Sequence, residues 1–130
     1  MPDFKVSLFI EAATPTGTAL WATEKVIDLV VGYGEVTDST RCALYFRKLK
    51  AFCDANFRQY MPEIIKREFG KVYCIHIEHF RFVGFFDQSY RDFICLDYFV
   101  KKTQKNDKRM NAIYRRIDQI RENESLTKNA

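Results

Sequence analysis

The sequence predicts an α+β domain: a small antiparallel, or mixed, β-sheet with two N-terminal helices packed on one face and a further helix at the C-terminus. Three observations lead there. An apolar, β-branched opening run, FKVSLFI, has strand composition. Apolar residues between positions 38 and 60 recur every three or four positions, the period of a helix. From Lys71 onward the pattern changes to three short aromatic and β-branched runs, the signature of strands. The 130 residues suit one domain spanning 1–130, since single domains commonly hold about 100–150 residues.

Taken in order, Phe4–Ile10 is the first strand, and Thr14–Pro15–Thr16–Gly17–Thr18 breaks it. Ala19 to Val31 reads as a helix with Leu20, Ile27, Val30 and Val31 on its apolar side, stopped by Gly32 and Gly34. Asp38 or Ser39 caps a second helix running to about Tyr60. Its buried stripe would hold Cys42, Tyr45, Phe46, Leu49, Phe52, Cys53, Phe57 and Tyr60, and Pro62 ends the pattern. Val72–His79, Phe80–Phe86 and Phe93–Val100 are the three later strands, with a turn at Asp87–Gln88–Ser89. Asp107 to Arg121 forms the last helix, presenting Met110, Ile113, Tyr114, Ile117 and Ile120 inward, and residues 123–130 read as a frayed tail.

Composition narrows the function classes. Twelve Phe and seven Tyr among 130 residues supply a ring-rich core. No apolar run approaches the roughly 18 residues of a membrane span, and no secretory signal is visible, so a cytoplasmic protein is expected. Cys42, Cys53, Cys74 and Cys95 show neither CxxC spacing nor clustering with histidine, which predicts reduced thiols, no metal and no cofactor. Cys42 and Cys53 would stand roughly 16 Å apart along one helix, beyond the reach of a disulfide. The net charge of +4 permits an anionic partner without identifying one. The cations concentrate late: Lys101, Lys102, Lys105, Lys108, Arg109, Arg115 and Arg116 crowd the last quarter, whereas residues 1–40 contain only Lys5 and Lys25.

Three segments carry a resemblance. They are Val72–Tyr73–Cys74–Ile75–His76, the run FRFVGFFD from Phe80 to Asp87, and FVKKTQK from Phe99 to Lys105. Together they resemble the RelE/HigB superfamily of type II toxins, and within it the phage-derived, Gp49-like branch. The resemblance implies a RelE/ParE-like fold and a toxin neutralised by a cognate antitoxin protein. It further implies metal-independent cleavage of mRNA at the ribosome. Where the family carries Glu and Arg in the first of these strands, this chain has Cys74 and His76. Gly84 replaces a family Tyr, and Asp97 stands where His is frequent.

Metal-free RNA cleavage requires a base for the 2′-hydroxyl, cations for the charged phosphorane and an acid for the departing 5′-oxygen. The resemblance makes Arg81 the phosphate clamp, a role suited to its planar fork of donors. Lys101 and Lys102 become charge stabilisers, and His76, titratable near neutrality, the base or acid. Lys102, Lys105, Lys108 and Arg109 are the candidate RNA contacts. Strand alternation predicts His76, Glu78, Asp97 and Lys101 on one open face, joined by Arg81, with the two carboxylates holding the cations. Each assignment has a plainer reading: Arg81 in a structural ion pair, the lysines as a solvated charge run, His76 as a structural histidine. Other functions also stay open. A ParE-like toxin inhibits DNA gyrase by binding alone, and a decayed RelE-fold module or a plain interaction module needs no chemistry.

Overall fold

The computed structural model describes residues 4–54, 65–87, 89–101, 108–123 and 126–129. These form an α+β fold with one seven-stranded mixed sheet and three helices. The strands are β1 (Phe4–Ile10), β2 (Ala19–Ala22), β3 (Ile65–Phe69), β4 (Val72–Ile77), β5 (Phe80–Phe86), β6 (Asp92–Val100) and β7 (Leu126–Asn129). The helices are α1 (Glu24–Val31), α2 (Ser39–Asp54) and α3 (Lys108–Glu122). Across the sheet the order is β3-β4-β5-β6-β2-β1-β7. β3 to β6 form an antiparallel meander, while β2 joins β6 and β7 joins β1 in parallel.

Both faces of the sheet are covered. Val26, Leu29 and Val30 of α1 and Tyr45, Leu49, Phe52 and Cys53 of α2 pack on Leu20, Ile75, Phe82 and Phe93. On the other face Met110, Tyr114, Ile117 and Ile120 of α3 pack on Val6, Val72, Val83, Ile94 and Leu96. Strands covered on both sides read as nearly continuous apolar runs, which accounts for FVGFF in β5 and FICL in β6. The expectation of helices on one face is therefore incomplete. α3 closes the side that was to be open, because its own apolar stripe needs burial.

The cap of α2 is as expected, and so is its stripe at Cys42, Tyr45, Leu49, Phe52 and Cys53, but Phe46, expected to be buried, is 39% exposed with its ring beside Phe9. The Asp38 carboxylate accepts from the N–H groups of Thr40 at 2.8 Å and Arg41 at 3.1 Å. Residues 55–60 and Pro62, the expected end of that helix, lie outside the described residues. Three further expectations need correction. Ala19–Ala22 is strand, not helix, because Leu20 and Trp21 pair with Phe93 and Ile94 of β6. The helix begins only after Thr23 and ends at Gly32, whose φ of +94° suits a residue without a Cβ. β3 was missed. The tail is not wholly frayed, since Leu126–Asn129 pairs with Phe4–Ser7.

A β-bulge resets β6. Val83 pairs with Asp97 and Gly84 with Cys95, leaving Leu96 as the extra residue. Strict alternation set Leu96, Tyr98 and Val100 against Asp97, Phe99 and Lys101. The bulge instead turns Tyr98 and Val100 toward α1 and α2, and Phe99 toward α3. Gly84 fits this close approach: a Cβ there would lie 2.0 Å from the Ile94 carbonyl oxygen. Local packing thus demands the glycine at position 84.

Candidate nucleic-acid interface

Three strands gather cations at one end of the α3-facing side. β4 sets Val72, Cys74 and His76 on that side, and the hairpin register places Arg81 of β5 directly opposite His76. β6 adds Phe99 opposite Arg81, and Lys101 follows two residues later on the same side. The Lys101 N–H donates to the His79 carbonyl at 2.7 Å, which ties the end of β6 to the β4–β5 turn. The structure thus brings His76, Arg81 and Lys101 together.

β3 completes the group with residues that sequence reading missed. Lys66 pairs with Cys74, and Glu68 is an unpaired extra residue between the Arg67–Tyr73 and Phe69–Val72 pairs. The Glu68 Oε1 atom stands 3.8 Å from His76 Nε2, with less than a fifth of either side chain exposed. Burial depresses the His76 pKa to about 4, and Arg81, Lys66 and Lys101 add to this by repelling a second positive charge. The imidazole is neutral at pH 7. Beneath it the Cys74 thiol donates to the Tyr114 hydroxyl at 3.7 Å. Burial pushes the thiol up to about 12 and also raises the Tyr114 hydroxyl, so both stay protonated near neutrality.

The expected role of the carboxylates is corrected. Arg81 is anchored by carbonyls, its Nη1 donating to Glu78 O at 2.7 Å and Phe80 O at 3.0 Å. Glu78 itself lies in the turn at φ +53°. Asp97 pairs with Lys25 of α1 at 2.6 Å and also accepts from the Tyr98 N–H, so it holds neither Arg81 nor Lys101. The open face narrows to its upper end, since α3 covers Val72, Cys74, Val83 and Leu96.

Lys102 and Lys105 lie outside the described residues. Lys108 and Arg109 open α3 with exposed side chains. Arg109 lines a groove of about 660 Å³ beside Lys25 and Asp97, apart from the His76 cluster. Arg116 lies over the Phe4 ring at 5.1 Å and Arg115 is exposed, so the last helix does carry a basic outer face. All four cysteines are free and buried. Among the described residues no group of three or more His, Cys, Asp or Glu side chains is arranged to hold a metal ion. No described helix is long and apolar enough to cross a membrane. No protein-family model, curated protein or solved structure matches this chain.

Proposed function

We propose that this chain is a toxin of the RelE/HigB kind, a ribosome-dependent mRNA endoribonuclease acting in the cytoplasm and neutralised by a cognate antitoxin. One observation carries the reading. Arg81 of β5, Lys66 of β3 and Lys101 just after β6 gather around His76 of β4, whose imidazole is neutral at pH 7. A neutral imidazole can take the 2′-hydroxyl proton, which a protonated one cannot. The 2′-oxygen then attacks phosphorus and the bond to the 5′-oxygen breaks, with the proton delivered to that leaving oxygen. Approach of a phosphate adds negative charge to that of Glu68, which stands 3.8 Å from the imidazole. It raises the imidazole's affinity for a proton just as the proton is transferred. Lys101 and Lys66 stabilise the equatorial oxygens, and Arg81, fixed by the turn carbonyls, holds the cluster in place.

A second reading has its own support. α3 covers most of the sheet face, and Arg81 spends one amino group on backbone carbonyls. A surface built this way also suits a binding toxin of the ParE kind, or a RelE-fold module without chemistry. Inducing the chain in a sensitive host with labelled precursors separates the three. Protein synthesis stops first for the nuclease, DNA synthesis first for a gyrase inhibitor, and neither for an inert module. On the nuclease reading, Lys101→Ala with Lys102→Ala weakens ribosome association, most clearly at raised salt, because each lost phosphate contact removes a counterion release. Association indifferent to salt and to both substitutions contradicts it.

A further inference from the structure

The opposite end of the same strands holds a second feature. A cleft of about 910 Å³ opens between the C-terminal end of α3 and the β3–β4 and β5–β6 turns. Small-molecule sites span roughly 300–1,000 Å³, so it has room for a nucleotide. Its lining alternates rings and cations: Tyr73, Phe86 and Tyr90 with Arg67, Lys71 and Lys128. Tyr90 stands out. It holds φ +60°, a conformation L-residues other than Gly, Asn and Asp seldom adopt, yet 45% of it is exposed. Its ring lies 5.5 Å from Phe86. The backbone here is fixed by Tyr90 N–H to Asp87 O at 3.1 Å and by the Thr18 hydroxyl to Tyr90 O at 3.3 Å. Strain held this firmly, presenting an aromatic ring to solvent, marks a functional position more than a folding one.

The cleft's acids are already engaged. Asp87 accepts from the Ser89 hydroxyl at 3.2 Å and from the Arg91 N–H at 3.0 Å, both within its turn. Glu122 faces Arg121 at 3.6 Å. Lys128 is paired with Asp92 at 3.0 Å. Arg67 spends its Nε on the Gly70 carbonyl, and among the described residues neither Arg67 nor Lys71 has an acidic partner. The partial negative charge at the end of α3 disfavours a phosphate beside it, so the anion's place is on the β3–β4 side, at these two cations.

We propose that this cleft binds one nucleotide of a single-stranded RNA, its base on Tyr90 and its phosphate at Arg67 and Lys71. This rests on the RNA reading above and extends it. Arg81, opposite His76, and Phe86, beside Tyr90, are five residues apart on β5, roughly 17 Å, and Lys66 and Arg67 lie on the β3 edge of the same sheet. A strand passing along the β3 edge joins the two sites through intervening nucleotides, so the cleft takes a nucleotide a few positions from the one at His76. Stacking on an aromatic ring tolerates any base, so the cleft contributes affinity and not sequence choice.

The test is fluorescence anisotropy with a short labelled single-stranded RNA, the same strand in a duplex, and adenosine monophosphate as competitor. Tyr90→Gly removes the ring while keeping the turn, because glycine adopts positive φ freely. It is expected to weaken single-strand binding about fivefold or more. Arg67→Ala with Lys71→Ala is expected to lower the salt dependence of log affinity by about 1–1.5. Single strand should bind better than duplex, and the mononucleotide should compete only weakly. A mononucleotide as tight as the RNA would make this a free-nucleotide site and overturn the proposal. RNA binding that falls with Lys101→Ala but ignores all cleft variants would overturn the cleft and leave the cleavage reading standing. No RNA binding at all would also overturn the cleft, with cleavage then judged separately on ribosomes.

Discussion

Acidification should weaken this protein through His76. The imidazole titrates at about 4 in the fold against 6.5 for the free side chain, chiefly because it is buried and then because Arg81, Lys66 and Lys101 surround it. Between those two values the unfolded chain binds a proton that the folded chain refuses, so stability is full above about pH 6.5 and falls as pH drops toward 4. The whole shift corresponds to about 3 kcal/mol at 1.36 kcal/mol per pH unit. Water at the rim of the cluster, and Glu68 at 3.8 Å ready to pair with a protonated ring, reduce this to roughly 1–2 kcal/mol. The perturbation is His76→Gln, which keeps a polar group without a titrating one. Urea midpoints at pH 7 and pH 4.5 give the loss for each protein, and carboxylate contributions cancel in the comparison. The wild type should lose more than the variant by that 1–2 kcal/mol. Equal losses in both would refute a buried, cation-crowded imidazole.

Other consequences follow from single contacts. Gly84→Ala puts a methyl group 2.0 Å from the Ile94 carbonyl oxygen, so thermal denaturation should show a loss of about 3 kcal/mol or more, and an unchanged melting temperature would contradict the close approach at the bulge. Phe52→Ala empties a ring site between Phe86 and Phe93 and should cost about 3–5 kcal/mol in urea titration. Asp38→Ala removes two N–H acceptors from the start of α2 and should cost about 1 kcal/mol, with a null result showing that the cap is dispensable. Native protein should react slowly with a thiol reagent, since all four cysteines are buried and burial holds Cys53 and Cys74 up near 12, whereas urea should release all four at once.

Much of the architecture is readable where local chemistry and tertiary packing agree. The α2 stripe of Cys42, Tyr45, Leu49, Phe52 and Cys53 repeats with helical period, and Asp38 caps it. The β4–β5 hairpin follows from its alternation, so the pairing of His76 with Arg81 was within reach of the sequence. What failed to show depends on distant partners. Ala19–Ala22 offers only four residues, and pairing with β1 on one side and with β6, some seventy positions later, on the other makes them a strand. β3, as IKREF, is a charged edge strand with no clear alternation, and missing it hid Lys66 and Glu68 from the candidate site. The bulge at Leu96 cannot be told from the residue types around it, yet it decides which way Asp97, Tyr98 and Phe99 face. Periodicity in α3 revealed an apolar stripe but not the sheet face that stripe covers.

The most direct test puts purified protein on ribosomes translating a defined mRNA and maps the transcript ends by primer extension. New ends should appear with wild-type protein and vanish with His76→Gln and with Lys101→Ala, both variants remaining folded. An intact transcript with the wild type, or undiminished cutting by the folded variants, would contradict cleavage by the His76 cluster.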